Sequence, residues 1–279
     1  MKFGIIISKD NPAGENIKTS LLSMYDFNKI NNNFENINVI EIQSTNINDK
    51  QINLYTIDEN CVYFDNSDNL DAKILIFATW HKSKSGEKTL TVHPTGNYDE
   101  ANYGGLSKQF SKVPAILFKE MYNKLSENAK NSIFEASMEA THHGPKTEKP
   151  SLFIEIGSLE SEWKNKDAGN IIAKTIYESI SDYNEAKCEV AIGIGGMHYC
   201  NNFNKIMTQT DIAISHMCPK YNVKFLNKEM INDMITATYE NVSFLLLDWK
   251  GLSGEEKAHL KPILEILNIE WKKVKQVKN

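Results

Sequence analysis

Lys73-Ile-Leu-Ile-Phe-Ala-Thr79 decides the fold. The run is apolar and rich in β-branched residues, and it does not alternate. That is the pattern of a strand covered on both faces. Lys2–Ser8 reads the same way. Outward from these two, short strands are predicted at Asn38–Ile42, Ile52–Ile57, Thr89–His93, Phe134–Thr141, Leu152–Ile156, Glu189–Ile194, Asp211–Ser215 and Val242–Asp248, with an edge strand at Ile269–Val274. Between them, Glu15–Phe27 places Ile17, Leu21, Leu22 and Tyr25 at helical spacing. Further helices are predicted over Pro114–Leu125, Ala168–Ile180, Lys228–Thr238 and Glu255–Leu267, the last with Pro262 as an irregularity. Strands alternating with helices predict an α/β protein with three α/β/α layers. There is no repeat and no low-complexity linker, so residues 1–279 read as one domain.

A composition of 41% hydrophobic and 24% charged residues excludes collagen, coiled coil and wholesale disorder. No apolar run approaches the ~18–20 residues of a membrane span. Phe3–Ile7 is too short for a signal-peptide core, so the chain reads as cytoplasmic. All 31 basic residues are Lys. Any phosphate or carboxylate must therefore be held by Lys, backbone N–H groups or helix N-termini, never by a guanidinium. With a net charge of -5, binding nucleic acid demands a local basic patch. Cys61, Cys188, Cys200 and Cys218 show no Cys-x-x-Cys spacing and read as small buried hydrophobes, which argues against a thiolate zinc site.

The chemistry concentrates on histidines at strand ends. His81 and His93 bracket the loop after the opening stretch, His142 and His143 follow a predicted strand, and His198 follows Gly195-Gly196. His216 ends another strand. If these strands ran parallel, the imidazoles would gather at one sheet edge, where α/β sheets bind ligands. His93-Pro-Thr-Gly96-Asn97 can present backbone N–H groups and the Asn97 amide to an oxyanion, or can be a plain β-turn. In Thr141-His142-His143-Gly144-Pro145, a turn at a strand end can bring both imidazoles together, for zinc or for proton transfer. Alternatively, one is a core His and the other is exposed. Glu155, inside an apolar strand, needs a partner such as a His or a metal unless it faces solvent. Gly193-Ile-Gly195-Gly196-Met-His198-Tyr199 resembles a turn where backbone approaches a ligand, but it fails the dinucleotide fingerprint. Lys220, beside Tyr221, could neutralise a phosphate or be a solvated Lys. The Walker loop, the Gly-x-Ser-x-Gly elbow and the His-Glu-x-x-His helix are all absent. The loop Gly96–Lys112 is long enough to be functional or mobile.

Taken in order, these pieces resemble the archaeal and plant type of D-aminoacyl-tRNA deacylase. The resemblance opens with Asp10-Asn-Pro-Ala-Gly-Glu-Asn16-Ile17 and continues through Leu90-Thr-Val-His93-Pro-Thr-Gly96-Asn97 and Glu139-Ala-Thr-His142-His143-Gly144-Pro145. Phe153-Ile-Glu155-Ile-Gly157-Ser158 follows, with Glu160 and Trp163, and then the Gly193–Tyr199 turn and His216…Lys220-Tyr221. Tyr98 stands where the family commonly has Trp, and Ser215 where Gly commonly precedes the later His.

The resemblance implies a mixed-sheet α/β/α fold similar to phosphorylases and peptidyl-tRNA hydrolases. The implied reaction is hydrolysis of the ester joining a D-amino acid to the 3′ end of tRNA. It also implies zinc, up to two ions per subunit; if zinc is present, His142, His143, Glu155, His198 and His216 are the candidate ligands read from this sequence. His93, Asn97, Thr141, His142 and Glu155 are the catalytic candidates. Gly96, Gly195, Gly196, Lys220 and Tyr221 are the candidates for substrate binding. The expected partner is the acceptor end of a D-aminoacyl-tRNA, met by a monomer with no membrane attachment. Without zinc, one His would act as general base and Glu155 would orient it. Lys82, Lys84, Lys88, Lys108 and Lys112, in the loops around His93, could bind acceptor-stem phosphates or be merely solvated. A zinc peptidase or peptidyl-tRNA hydrolase-like enzyme is the second reading, and a non-catalytic acceptor-end binder the third.

Overall fold

The opening stretch becomes strand β5 (Ile74–Trp80), buried at every position but the last. The computed structural model describes residues 1–31, 34, 37–83, 86–185 and 188–277. Its strands are β1 (Lys2–Ser8), β2 (Asn28–Lys29), β3 (Val39–Ile47), β4 (Lys50–Ile57), β5, β6 (Thr89–His93), β7 (Glu135–Met138), β8 (Ser151–Ile156), β9 (Glu189–Ile194), β10 (Ile212–Cys218), β11 (Val242–Leu247) and β12 (Glu270–Lys273). Its helices are α1 (Pro12–Met24), α2 (Ala115–Ala129), α3 (Glu160–Trp163), α4 (Lys166–Asp182), α5 (Asn201–Gln209), α6 (Lys228–Thr236), α7 (Gly254–Ile266) and α8 (Val274–Val277). Among them, no helix is long and apolar enough to cross a membrane.

Eight strands form a mixed sheet in the order β2-β3-β4-β1-β5-β8-β6-β7, and four form a parallel sheet in the order β10-β9-β11-β12. Helices α1, α2, α4 and α5 share one core with both sheets. Ile17, Phe118, Ile176 and Phe203 pack there with Ile5, Ile76 and Ile154 of the first sheet and Ile214 and Phe244 of the second. Helices α6 and α7 cover the second sheet's other face, around Ile192, Ile194, Leu245 and Leu247. The first sheet's other face is closed instead by two short 3-10 helices, Cys61–Tyr63 and Asp65–Asn69, with Cys61, Phe64 and Leu70 over Ile6, Phe77 and Phe153. The α/β class and the mixed sheet stand as expected, while the full helix–sheet–helix sandwich belongs to the second sheet.

The first sheet is not parallel throughout. β6 runs against β8, pairing Thr91 with Glu155 and His93 with Phe153. His93 and Glu155 therefore share a face on neighbouring strands, instead of sitting at one common carboxyl edge. The strand predicted over Phe134–Thr141 ends at Met138. Beyond it, the Ala140 and Thr141 N–H groups donate to the carbonyls of His198 and Met217, which stitches the first sheet to β10 and its neighbouring turn. His216 lies inside β10, not at its end. Helix α5 was not expected, since Asn-Asn-Phe-Asn-Lys-Ile-Met-Thr-Gln is mostly polar. Phe203, Ile206 and Met207, spaced i, i+3, i+4, nonetheless bury one stripe.

The Asp10–Ile17 motif is a joint of the fold. Asn11 caps α1 by accepting from the Gly14 N–H, and its own amide donates to Thr79 Oγ1 at the end of β5. The Asn16 amide donates to the carbonyls of Trp163 and Asn165, fixing α1 to the start of α4.

Candidate functional site

Five segments converge on a cluster of five imidazoles and two carboxylates, in which His93, Glu139 and Glu155 are buried and the other four rings partly exposed. β5 delivers His81, β6 delivers His93, and β8 delivers Glu155. The chain after β7 brings Glu139, His142 and His143, and the turn after β9 brings His198. Glu139 is fully buried at the centre, with His81 Nδ1 at 3.2 Å and His142 Nε2 and His198 Nε2 each at 3.4 Å. Glu155 Oε2 stands 3.5 Å from His93 Nε2 and 3.7 Å from His81 Nδ1. The ring centroids of His93 and His142 are 4.2 Å apart, those of His142 and His143 4.4 Å, and those of His142 and His198 4.9 Å.

His142 and His143 do converge at their turn. His143 takes φ +43, in the left-handed region, which cancels the alternation that would send neighbouring side chains apart. The Gly96 N–H holds this turn by donating to the His143 carbonyl at 2.8 Å.

Backbone carbonyls orient the rings. His93 Nδ1 meets the Pro94 carbonyl at 3.1 Å, His142 Nδ1 the Ala140 carbonyl at 2.7 Å, and His143 Nδ1 the Gly144 carbonyl at 2.6 Å. Each Nδ1–H donates outward, which leaves Nε2 for the interior. Tyr221 and Tyr199 hydroxyls meet His198 Nδ1 at 3.1 Å and His81 Nε2 at 3.2 Å. Three polar atoms here are buried without an aligned hydrogen bond: His93 Nε2 and both oxygens of Glu139. Orphaned buried acceptors and ring nitrogens are what a bound cation would satisfy.

The electrostatics sort the imidazoles. Burial, reinforced by the neighbouring histidines, holds His142 well below the ordinary range and His143 down at about 3, so both are neutral at pH 7. Burial works against the cation at His93 as well, but the adjacent Glu155 outweighs it and raises that pKa. Burial would raise Glu139, yet His198, His81 and His93 together bring it down to about 2.

Ligand atoms of three groups lie within 4.8 Å of one another: His93, His142 and His143; Glu139, His142 and His198; and His81, Glu139 and Glu155. The donor set of neutral imidazole and carboxylate suits zinc. His142 belongs to two of the groups. His81 and Glu139 were not among the candidates taken from the sequence. Glu139, between Met138 and Ala140, carries the same signal that marked Glu155: a carboxylate among buried apolar residues.

Several expected roles change. His216 stands apart from all three groups, with its ring nitrogens against Thr141 Oγ1 and the Ala237 carbonyl at 3.3 Å each. Thr141 is a buried tie, whose hydroxyl accepts from the Met217 N–H. The Asn97 amide donates to the carbonyls of Gly104 and Leu106, and the Asn97 and Gly96 N–H groups donate to Gln109 and His143, so these donors are not free for an oxyanion. Gly195 and Gly196 pack against Asp248, and the Gly196 carbonyl accepts from the Lys220 N–H. Tyr221, by contrast, touches the cluster through His198. Lys108 and Lys112 share a cleft of ≈ 430 Å³, Lys82 and Lys88 are exposed elsewhere, and Lys84 lies outside the described residues. Cys61, Cys200 and Cys218 are buried and Cys188 half-buried, and none is a member of the three metal groups.

Beside His142 and His143 opens a cleft of ≈ 250 Å³, lined also by Gly96, Tyr98, Asp99, Glu100 and Asn222.

Comparison with known proteins agrees over most of the chain. A family model described as D-aminoacyl-tRNA deacylase matches residues 68–272. The D-aminoacyl-tRNA deacylase of Thermococcus onnurineus is 38% identical over 276 residues, spanning 96% of this chain and 98% of that one. The Pyrococcus furiosus protein of the same name is 34% identical over 275 residues, with the same coverage. A crystal structure described as a conserved protein of unknown function superposes with a TM-score of 0.86 at 30% identity, over 100% of this chain and 96% of that one.

Proposed function

The chain belongs to the D-aminoacyl-tRNA deacylase family, and from that premise we propose that the imidazole–carboxylate cluster carries the family's reaction here. The chain is a hydrolase that cuts the ester between a D-amino acid and tRNA. The observation that supports the cluster as its site is the outward tie of Nδ1 on His142 and His143, two neutral imidazoles whose Nε2 atoms are left for the interior, with His142 Nε2 3.4 Å from an orphaned Glu139 oxygen beside an open cleft.

Zinc held by His142 with His93 and His143, or with Glu139 and His198, would polarise the ester carbonyl and lower the pKa of water toward ~7. Neutral imidazoles at pH 7 are ready donors, whereas a ring with a pKa of about 3 is a poor proton acceptor, which favours His143 as ligand over base. Glu155, whose Oε2 stands 3.5 Å from His93 Nε2, is the carboxylate that would receive a proton from the attacking water. Glu139, fully buried, lies 3.2 Å from His81 Nδ1 and 3.4 Å from His198 Nε2 and can orient both rings.

The cleft suits the aminoacyl end, since ≈ 250 Å³ is too small for an acceptor stem. Asp99 and Glu100 on its wall favour a free α-ammonium over the blocked amine of a peptidyl-tRNA. The proposal includes one domain over residues 1–279, acting as a monomer in the cytoplasm. Release of amino acid from D-Tyr-tRNA and L-Tyr-tRNA tests the substrate. Loss of the D-ester alone supports the reading. Loss of N-acetyl-L-Tyr-tRNA instead would support the peptidyl-tRNA hydrolase alternative, and binding without turnover the non-catalytic one.

A further inference from the structure

We propose that a lysine- and tryptophan-lined groove at the carboxyl ends of β11 and β12 grips the body of the tRNA while its 3′ end reaches the histidine cluster. The proposal rests on the deacylase reading and adds a second contact to it. The groove has a volume of ≈ 430 Å³ and is lined by Asp248, Trp249, Lys250, Lys257, Lys273 and Lys275. In a chain of net charge -5, four lysines on one groove form a local reversal of sign. None of them has a carboxylate partner among the described residues, whereas the neighbouring Lys272 pairs with Glu189 and Glu270. The one acid on the wall, Asp248, has its Oδ2 occupied by the Asn202 amide at 2.9 Å.

The aromatic part makes RNA the better fit than an acidic peptide. Trp249 and Trp271 lie nearly parallel, at 19°, with ring centroids 6.2 Å apart. Lys273 Nζ sits 5.1 Å from the Trp249 centroid and 5.7 Å from that of Trp271, and Lys257 Nζ 5.9 Å from Trp249. Cations set over flat rings match a strand that offers phosphates and base faces together. In a chain without any Arg, this lysine–tryptophan combination supplies both contacts in one groove.

The groove is joined to the catalytic side. The Asp248 N–H donates to the Ile194 carbonyl, and Gly195 and Gly196 lie directly against Asp248. His198 follows two residues later. One glycine turn thus separates the groove wall from a member of the cluster. The lysines suspected from the sequence, around His93, do not line it.

The test uses the full chain with Lys250→Glu and Lys275→Glu, both exposed side chains whose reversal spares the core. Deacylated tRNA binding is measured across about 50–200 mM salt. In parallel, kcat/KM on D-Tyr-tRNA is compared with kcat/KM on the D-tyrosyl ester of adenosine, which lacks the tRNA body. The expected result is about tenfold weaker tRNA binding per reversal, with the salt slope reduced by about 1 for each. The ratio of kcat/KM on tRNA to that on the short ester should fall by the same factor. Wild-type affinity and salt slope in both variants would overturn the proposal. Equal loss on both substrates would overturn it too, by showing damage carried through the glycine turn. Weakened binding of polyglutamate with tRNA unaffected would assign the groove to acidic peptides and equally overturn it. Failure of the deacylase reading has a different signature: the wild-type protein cuts neither D-ester, while the binding arm still decides the groove.

Discussion

Replacing Glu139 with Gln keeps the side chain's shape and removes its charge. The carboxylate is fully buried, with three imidazole nitrogens between 3.2 and 3.4 Å away. A single cationic partner at about 3.3 Å, at an effective dielectric of about 20, would be worth about 5 kcal/mol. Taking a carboxylate out of water costs several kcal/mol in return. The two nearly cancel, so folding stability should change by no more than about 2 kcal/mol, or a few degrees in Tm. Activity has no such cancellation. The Glu139–His142–His198 group loses its one anionic donor, and kcat/KM on D-Tyr-tRNA should fall at least about 100-fold, equivalent to about 2.7 kcal/mol. Glu162→Gln is the control, because that carboxylate is also buried but caps α3 through the Leu159 N–H. It should cost comparable stability and leave kcat/KM within about twofold of wild type. A folded Glu139→Gln protein with kcat/KM within about threefold of wild type would refute the reasoning.

His216 should make the protein acid-sensitive. Burial holds its folded pKa down to about 4, against about 6.5 unfolded, so the unfolded chain binds the extra proton between those values. Stability should be complete above pH ~6.5 and lost by up to about 3 kcal/mol as pH falls through 4, and His216→Gln should flatten the urea-unfolding profile over that window. Parallel profiles would contradict this. At Gly169, an added Cβ would lie 2.3 Å from Asn16 Oδ1, disturbing the clamp on Trp163 and Asn165. Gly169→Ala should lose about 1–3 kcal/mol by thermal unfolding, although Ala is the better helix former by about 1 kcal/mol. Asp99→Asn with Glu100→Gln should raise KM for D-Tyr-tRNA several-fold and leave KM for an N-acetylated D-ester unchanged.

The parts of the fold carried by apolar patterning were legible in the sequence. β1 and β6 have the expected bounds, and β5, β8 and α4 fall within two residues of theirs. What patterning could not supply was direction and pairing. The reversal of β6 against β8, which sets His93 beside Glu155, depends on how the chain crosses between strands. The site divides the same way. His142, His143, Glu155 and His198 stood out through motif and position, and they meet. His216 carried the same signal of an imidazole on a strand, but burial inside β10 gives it carbonyl and hydroxyl neighbours. Glu139 is hidden in the sequence because a strand predicted over Phe134–Thr141 makes it one ladder residue among many, whereas the strand ends at Met138. Helix α5 was hidden because its stripe is only three residues wide.

His142 is shared by two of the three candidate ligand groups, so its removal tests the central claim most directly. Bound zinc and D-Tyr-tRNA turnover would be measured on the same preparation of His142→Ala and of wild type. The expected result is loss of at least one zinc equivalent from the variant, with turnover down by at least about 1,000-fold in a protein that still unfolds cooperatively. Full turnover by a folded His142→Ala protein would place the hydrolysis somewhere other than this cluster.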